Sequence, residues 1–514
     1  LFAGPGGLGE GFASLTDSSG EAIFRIALSV EVAEPAFQTL RLRSFFRQFN
    51  RSSVPDNYYD ALRGKLSIQD LYKRHNAEAE VSATEAWKAK LGGVSVNEVD
   101  QRIANAIGNS QRWILIGGPP CQAYSLVGRS RRSKPADREK YEKDEKHFLY
   151  KEYLRILAVH RPPVFVMENV KGILSSTVQG KKIIDQIVSD LRHPLGADES
   201  SPDTLCYDLH PLADYEPSLF SEDKPHPSDY IIKSELHGIP QARHRFIILG
   251  IRSDLRWTPK RLSNLSNSVS TWQAIGDLPP LRSRVSGVAD SQESWELAIG
   301  EVVSKMLRES WVVDSGVAIS LGRAALNLRK ADSGGEFVEW DKKPNWRQKW
   351  LYDSRLGGVC NHQGRRHMKE DLWRYVFAAA FAAKNGYSPT LEDFPGPLLP
   401  EHRNVDAKRL REGDVPFADR FRVQLKNRPS TTVTSHIAKD GHYFIHPDPR
   451  QCRSLSVREA ARLQTFPDDY FFLGTKTEQY QQVGNAVPPL LAYKIARVVA
   501  EMFTSVSAFA AGRL

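Results

Sequence analysis

Three short apolar runs, Trp113-Ile-Leu-Ile116, Val164-Phe-Val-Met167 and Phe246-Ile-Ile-Leu249, have the length and branched content of buried strands, and Phe24 to Val30 is similar. Glycine, proline or a charged residue follows each. The intervening stretches can hold helices: Tyr150 to Val159 brings Tyr153, Leu154, Leu157 and Ala158 to one face. Strands alternating with helices predict an α/β domain with a mostly parallel sheet and helices on both faces. In such sheets function gathers at the carboxyl ends of the strands, so the loops that follow them matter most. From about residue 258 the alternation gives way to a mixture rich in Arg, Trp, Asn, Ser and His. Regularity returns with a helix over Ser456 to Thr465, capped by Ser456 with Glu459 three residues on, and a last helix over Pro489 to Phe503. The pattern predicts a discontinuous domain, residues 1–257 and 456–514, interrupted by a smaller one at 258–455.

The 514 residues are 41% apolar and 25% charged, enough core for two or three domains and too apolar for global disorder. No stretch approaches the ~18–20 uninterrupted apolar residues of a membrane span. The strongest run, Leu490 to Gly512, is broken by Lys494, Arg497 and Glu501. No charged-then-apolar leader precedes the first strand, so a soluble cytoplasmic or nuclear protein is expected, its first few residues lying before Leu1. Seventy Lys and Arg against 61 Asp and Glu leave a charge of +9, which suits a polyanion partner, although a solvated basic face gives the same sum. The four cysteines are scattered, without a disulfide framework or a CxxC knuckle, as in a reducing compartment. Cys360, His362 and His367 lack a fourth ligand, and no metal site is expected.

Candidate chemistry lies at the predicted strand ends. Gly4, Gly6 and Gly9 satisfy G-x-G-x-x-G, which lets a nucleoside cofactor approach the backbone, and the acidic Glu31 follows the next strand. This does not distinguish a nicotinamide dinucleotide from S-adenosylmethionine, and a tight glycine turn without ligand gives the same pattern. Gly117-Gly-Pro-Pro-Cys-Gln122 is sharper. Its prolines forbid helix and make a stiff loop that delivers Cys121 to the carboxyl edge, the setting of a nucleophile rather than of a small core residue. Glu168 ends another strand. Alternation puts Arg243 and Arg245 on one face of Gln241-Ala-Arg-His-Arg245, as donors to a phosphate or a base carbonyl or as an edge strand's decoration. Gly484-Asn-Ala-Val-Pro-Pro489 shapes the loop before the last helix.

These segments, with Arg458-Glu-Ala-Ala-Arg-Leu-Gln-Thr-Phe-Pro467, stand in one order over most of 1–257 and 430–514. Together they closely resemble the DNA cytosine-5 methyltransferase family. The resemblance implies a Rossmann-like, S-adenosylmethionine-dependent methyltransferase domain, with an inserted target-recognition domain. It makes Cys121 the thiolate that adds to C6 of cytosine and Glu168 the group that holds and protonates N3. Arg245, and more weakly Arg243, steady a base swung out of the duplex. Around the cofactor it places Phe2, Pro5, Gly6 and Gly7, then Glu31 on the ribose with Val32 beside the adenine. Pro120, Leu149, Asn485, Ala486 and Val487 complete that pocket. Asp100 is the choice for the adenine amino group, with Glu98 and Asp70 as alternatives. Val32 is smaller than the residue often found there, and the stretch from Glu31 to Trp113 is longer than compact members need.

For DNA, the resemblance implies contacts from Gln122 and Gln241 and from Arg129, Arg131 and Arg132 on the basic loop after the nucleophile. Double-stranded DNA is thus the expected partner, with no membrane, in a bacterial restriction-modification or phage-defence setting that can include partner proteins. The expected location is the prokaryotic cytoplasm, at the nucleoid. Two alternatives stay open: a tRNA cytosine-5 methyltransferase, which the long insert disfavours, and a non-catalytic DNA-binding relative, which intact Cys121, Glu168 and Arg245 disfavour.

Overall fold

A computed structural model describes the chain except residues 120–145, 179–180, 197–204, 215–224, 311, 313–315, 401–414, 416 and 512–514. The chain divides into two compact units. The first comprises Leu1–Ser53, His75–Asn267 and Ala486–Leu514, and the second Val54–Arg74 and Ser268–Asn485.

The first unit is built on the strands β1 (Ser29–Glu31), β2 (Ala86–Lys88), β3 (Ile114–Gly117), β4 (Val164–Val170), β5 (Tyr207–Pro211), β6 (Ile231–Lys233) and β7 (His244–Arg252). β1 and β2 pair in parallel, as do β3 and β4. β7 runs antiparallel to β4 on one side and to β5 and β6 on the other. Residues 1–3 close the gap between the two sheets. The backbone N–H of Leu1 donates to Ile116 O at 2.7 Å and that of Ala3 to Val30 O at 3.0 Å. These bonds set residues 1–3 between the two sheets, in the order β2, β1, residues 1–3, β3, β4, β7, β5, with β7 antiparallel to both β4 and β5.

Period-two alternation explains the burial. Phe165 and Met167 of β4 and Phe246 and Ile248 of β7 share a core with Val99 and Ile103 of α3 (Val96–Ile107), which follows α1 (Gly7–Ala13) and α2 (Glu34–Phe46) in the chain, and with Tyr153, Ile156 and Leu157 of α4 (Lys146–His160). Ile184 and Ile187 of α5 (Ile183–Arg192) join it. The alternate residues Val166, Ile247 and Leu249 are equally buried, so both faces of the sheet are covered. The helix α1 (Gly7–Ala13) packs on α11 (Pro489–Ala511) so closely that a Cβ at Gly11 would fall 2.4 Å from the Pro489 carbonyl oxygen and 2.5 Å from the Tyr493 nitrogen. Glycine is the one residue that fits there.

Two expected elements differ in extent. The strand foreseen over Phe24 to Val30 is confined to β1, because Phe24 turns its ring onto Phe12 at 5.4 Å. The last helix runs to Ala511 rather than Phe503. Among the described residues no helix is long and apolar enough to cross a membrane.

In the second unit, α6 (Gln292–Met306), α7 (Ala318–Leu326) and α8 (Lys369–Asn385) bury Trp295, Ile299, Leu321, Tyr375 and Val376 in one core. An antiparallel pair, β8 (Gly334–Glu339) and β9 (Gly358–Gln363), stands beside them in the chain. The capped helix α9 covers Val457–Leu463, and Thr465, at φ 65°, ends it. The Glu459 N–H donates to Ser456 Oγ at 3.1 Å and the Ser456 N–H to Glu459 Oε2 at 2.7 Å. The same carboxylate receives both terminal nitrogens of buried Arg453 at 2.6 Å each, which satisfies the charge that capping alone would leave buried.

Two histidines in this interior make stability pH-dependent. Burial lowers His362 to about 4, while burial and then Arg453 lower His446 to about 3. Both lie below the ~6.5 of an unfolded histidine, so the unfolded chain binds more protons in that window. Their contribution is complete above about pH 6.5 and is lost as pH falls toward 4 and then 3. The urea midpoint is expected to drop steadily from pH 7 to pH 4; a flat profile would contradict the buried neutral state of these rings.

Candidate active site

The chain leaves residues 1–3 toward β1 and β2 on one side and returns through β3 toward β4 on the other. Strand order reverses between residues 1–3 and β3, and a crevice forms outside the carboxyl ends of strands at such a point. Glu31, the glycine turn and the Gly117–Pro119 loop all issue there.

On the first side, Gly4 at φ 56° and Gly6 at φ 98° adopt the left-handed conformation that favours glycine, and α1 begins directly after them. Glu31 at the end of β1 ties this turn down: its Oε2 accepts the Gly4 N–H and its Oε1 the Ala33 N–H, both at 2.8 Å. A Cβ on Gly4 would meet nothing within 4 Å, so the turn faces open space. Val32 is 55% exposed beside it, and Phe2 and Leu149 pack on the edge of the sheet core. The open glycine backbone, a carboxylate at the neighbouring strand end and apolar flanks fit a nucleoside-bearing cofactor.

On the second side, β3 runs into Gly117-Gly118-Pro119. A Cβ on Gly118 would lie 2.9 Å from Glu168 Oε2 and 3.1 Å from the Glu168 carbonyl oxygen, and the Asn169 side-chain amide donates to Pro119 O at 3.4 Å. The loop thus rests on Glu168 and Asn169 two residues before Cys121. Pro120, Cys121, Gln122, Arg129, Arg131 and Arg132 lie outside the described residues.

Glu168 gains its counter-charge from the reversed strand. Register sets Ile247 opposite Glu168 and Arg245 opposite Val170, so Arg245 is the diagonal neighbour of Glu168 on the same face. Its Nε stands 3.0 Å from Glu168 Oε1. Arg243 is buried just beyond. Burial works against both guanidinium charges and lowers both, Arg243 also through its neighbour Arg245, while Glu168 acts in their favour. A carboxyl group is therefore fixed at the strand end with one oxygen toward a cation and the other toward the loop that carries the cysteine. A carboxyl group fixed in this way can exchange a proton with a group held beside the loop.

Three expectations change. Asp100 is occupied: both oxygens receive Arg155 Nη1 at 2.9 Å, and Oδ1 also meets His160 Nε2 at 2.9 Å. Burial opposes ionisation, but the His160 and Arg155 bonds outweigh it and hold the carboxyl below its usual range. Asp100 braces α3 against α4, and the alternatives Glu98 and Asp70 are likewise engaged, with Arg102 and Lys73. Gln241 is fully buried, so its side chain presents no edge to a base, and its backbone carbonyl accepts the Arg243 N–H at 2.9 Å. Arg243, 1% exposed, lies in the interior rather than on a surface that a phosphate could reach. Asn485 is exposed at the end of α10 (Lys476–Asn485), with Ala486 buried and Val487 half-buried before α11. Cys360, His362 and His367 are buried, and His362 and His367 bond to Ser456 and Ser454. Asn169 and Gly118 were not singled out from the sequence, although the Gly-Gly doublet after a strand signals a close backbone approach.

Known proteins resemble this chain in sequence and in fold. A model of the C-5 cytosine-specific DNA methylase family matches residues 73–194 and 226–501. The type II methyltransferase M.Bpa9945I of Bacillus paralicheniformis is 30% identical, with 98% of each chain covered. The DNA (cytosine-5-)-methyltransferase M.ApeKI of Aeropyrum pernix is 24% identical, again over 98% of each. Among solved structures, a prophage-encoded DNA modification methyltransferase of E. coli aligns with a TM-score of 0.52 at 17% identity and 98% coverage of each chain, which is a likeness of fold.

Proposed function

From the premise that the chain belongs to the C-5 cytosine-specific DNA methylase family and is a DNA cytosine-5 methyltransferase, we propose how its residues do this work and what they bind. The methyl donor is S-adenosylmethionine, held by Phe2, the Gly4–Gly7 turn, Glu31 and Val32, with Pro120, Leu149 and the 485–487 loop. When bound, it supplies an electrophilic methyl group on a sulfonium.

The chain's own residues prepare the acceptor. The target cytosine leaves the base stack, at a cost of a few kcal/mol, because C5 and C6 are shielded inside a duplex. The Cys121 thiolate forms a bond to C6 while Glu168 gives a proton to N3, so the electron pair released from the C5–C6 bond makes C5 nucleophilic. Once C5 has been alkylated, its proton passes to water, the S–C6 bond breaks to release the Cys121 thiolate, and N3 returns its proton to Glu168 as aromaticity is restored. A thiolate alone cannot break the ring's conjugation cheaply, and the acid at N3 takes up the developing charge. Arg245 orients Glu168 through their ion pair. The second unit, Val54–Arg74 with Ser268–Asn485, takes the target-recognition role. Relatives named type II methyltransferases support a restriction-modification setting, with partner proteins from such a system.

The placement of Glu168, between Arg245 and the loop leading to Cys121, carries this reading most directly. Purified protein given methyl-labelled S-adenosylmethionine with duplex DNA and tRNA is expected to label DNA alone, with 5-methylcytosine in one recurrent short sequence. Labelled tRNA beside bare DNA, or folded protein that labels neither, would overturn it.

A further inference from the structure

Between β8 and β9 the chain runs through Trp340-Asp-Lys-Lys-Pro-Asn-Trp-Arg-Gln-Lys-Trp350, four cations against one carboxylate. Lys342, Lys343, Asn345, Arg347, Gln348 and Lys349 are all exposed, while Pro344 is buried between them. The ends are pinned. The Trp340 indole N–H donates to Asp277 O at 2.9 Å and the Trp350 indole N–H to Thr465 O at 2.8 Å. Leu351 O, just beyond, accepts the Asp468 N–H at 2.9 Å. Arg347 sits at φ 49°, ψ 41°, a left-handed conformation that costs a non-glycine residue about 1 kcal/mol or more and that the surrounding bonds must enforce.

A charged stretch is usually a solvated face, but a solvated face has no need of two indole anchors or a strained arginine. Several other cations of the unit meet carboxylates. Arg355 meets Asp56 at 2.7 Å, Arg374 meets Asp371 at 3.0 Å and Arg450 meets Asp448 at 2.8 Å. Among the described residues, Lys342, Lys343, Arg347 and Lys349 form no ion pair. Resting on the methyltransferase reading, we propose that residues 341–349 are a preformed duplex-reading loop. Lys342, Lys343, Arg347 and Lys349 sit on phosphates, and Asn345 and Gln348, which offer a donor and an acceptor together, address base edges in the groove. Prior anchoring lowers the ordering cost that a free loop would meet on binding.

Two variants separate positioning from reading. In K342Q/K343Q/R347Q, the slope of log binding constant against log salt on methylatable duplex is expected to become shallower by about three, with affinity at moderate salt at least about tenfold lower and the methylated sequence unchanged. N345A/Q348A is expected to keep the slope and to relax or shift the methylated sequence at one or two positions. If the wild type methylates DNA while both variants match it in slope and in sites, the loop is no reader and the activity stands. If the wild type methylates no DNA, the activity reading fails, and the slope measured by gel shift still decides whether the loop holds phosphates. All the replaced side chains are exposed, and a melting temperature equal to wild type checks folding.

Discussion

Glu168→Gln is expected to lower methyl transfer by about 10²–10⁴-fold, the usual span for loss of a positioned general acid, with the fold intact. The amide keeps the size of the carboxyl group and its contact with the loop at Gly118, but it has no proton to give to N3. It also leaves the charge of Arg245 without its partner at a site where burial already works against that charge. The effect should fall on the rate at saturating DNA rather than on binding. Single-turnover kinetics across pH would separate the roles: a structural contact alone predicts a uniform small loss, whereas an acid predicts a large one and a changed pH profile.

Cys121→Ser is expected to cost more, on the order of 10⁴-fold or beyond, because a hydroxyl is far less ionised and less nucleophilic at neutral pH than a thiol with a pKa near ~8.5. DNA binding should survive, since addition to C6 follows recognition. The direct measurement uses a duplex with fluorine at C5 of the target cytosine. Fluorine cannot leave as a proton does, so the S–C6 bond persists, and wild type should migrate as a covalent adduct in denaturing gels whereas the serine variant should not. A serine protein with wild-type turnover would remove Cys121 from the mechanism.

The strands were readable because their apolar runs are long enough to be buried on both faces. Their directions were not, since Phe246-Ile-Ile-Leu249 reads alike either way, and only pairing shows that β7 is reversed. β1 and β2, three residues each, are too short to show a period. At the candidate site, the positions of Glu168 and Arg245 near strand ends were legible from their motifs. Their contact was not, because it depends on the diagonal register of two strands 75 residues or more apart in the chain. Asp100 misled for a related reason: an acidic residue on a helix face looks available until partners 55 and 60 residues later, Arg155 and His160, are seen to occupy it. Gln241 and Arg243 look polar and thus external, yet the fold takes them inside.

The contact of Gly11 with Pro489 and Tyr493 joins segments that are far apart in the chain. At ~5–20 residues per second, the first helix waits roughly 25–100 s on the ribosome before the helix that covers it is made. Until then the glycine turn, which rests on that first helix, lacks its final support, and a truncated nascent chain should be silent. Methylation is thus expected only from chains in which the helix Pro489–Ala511 has already been made, a timing set by packing.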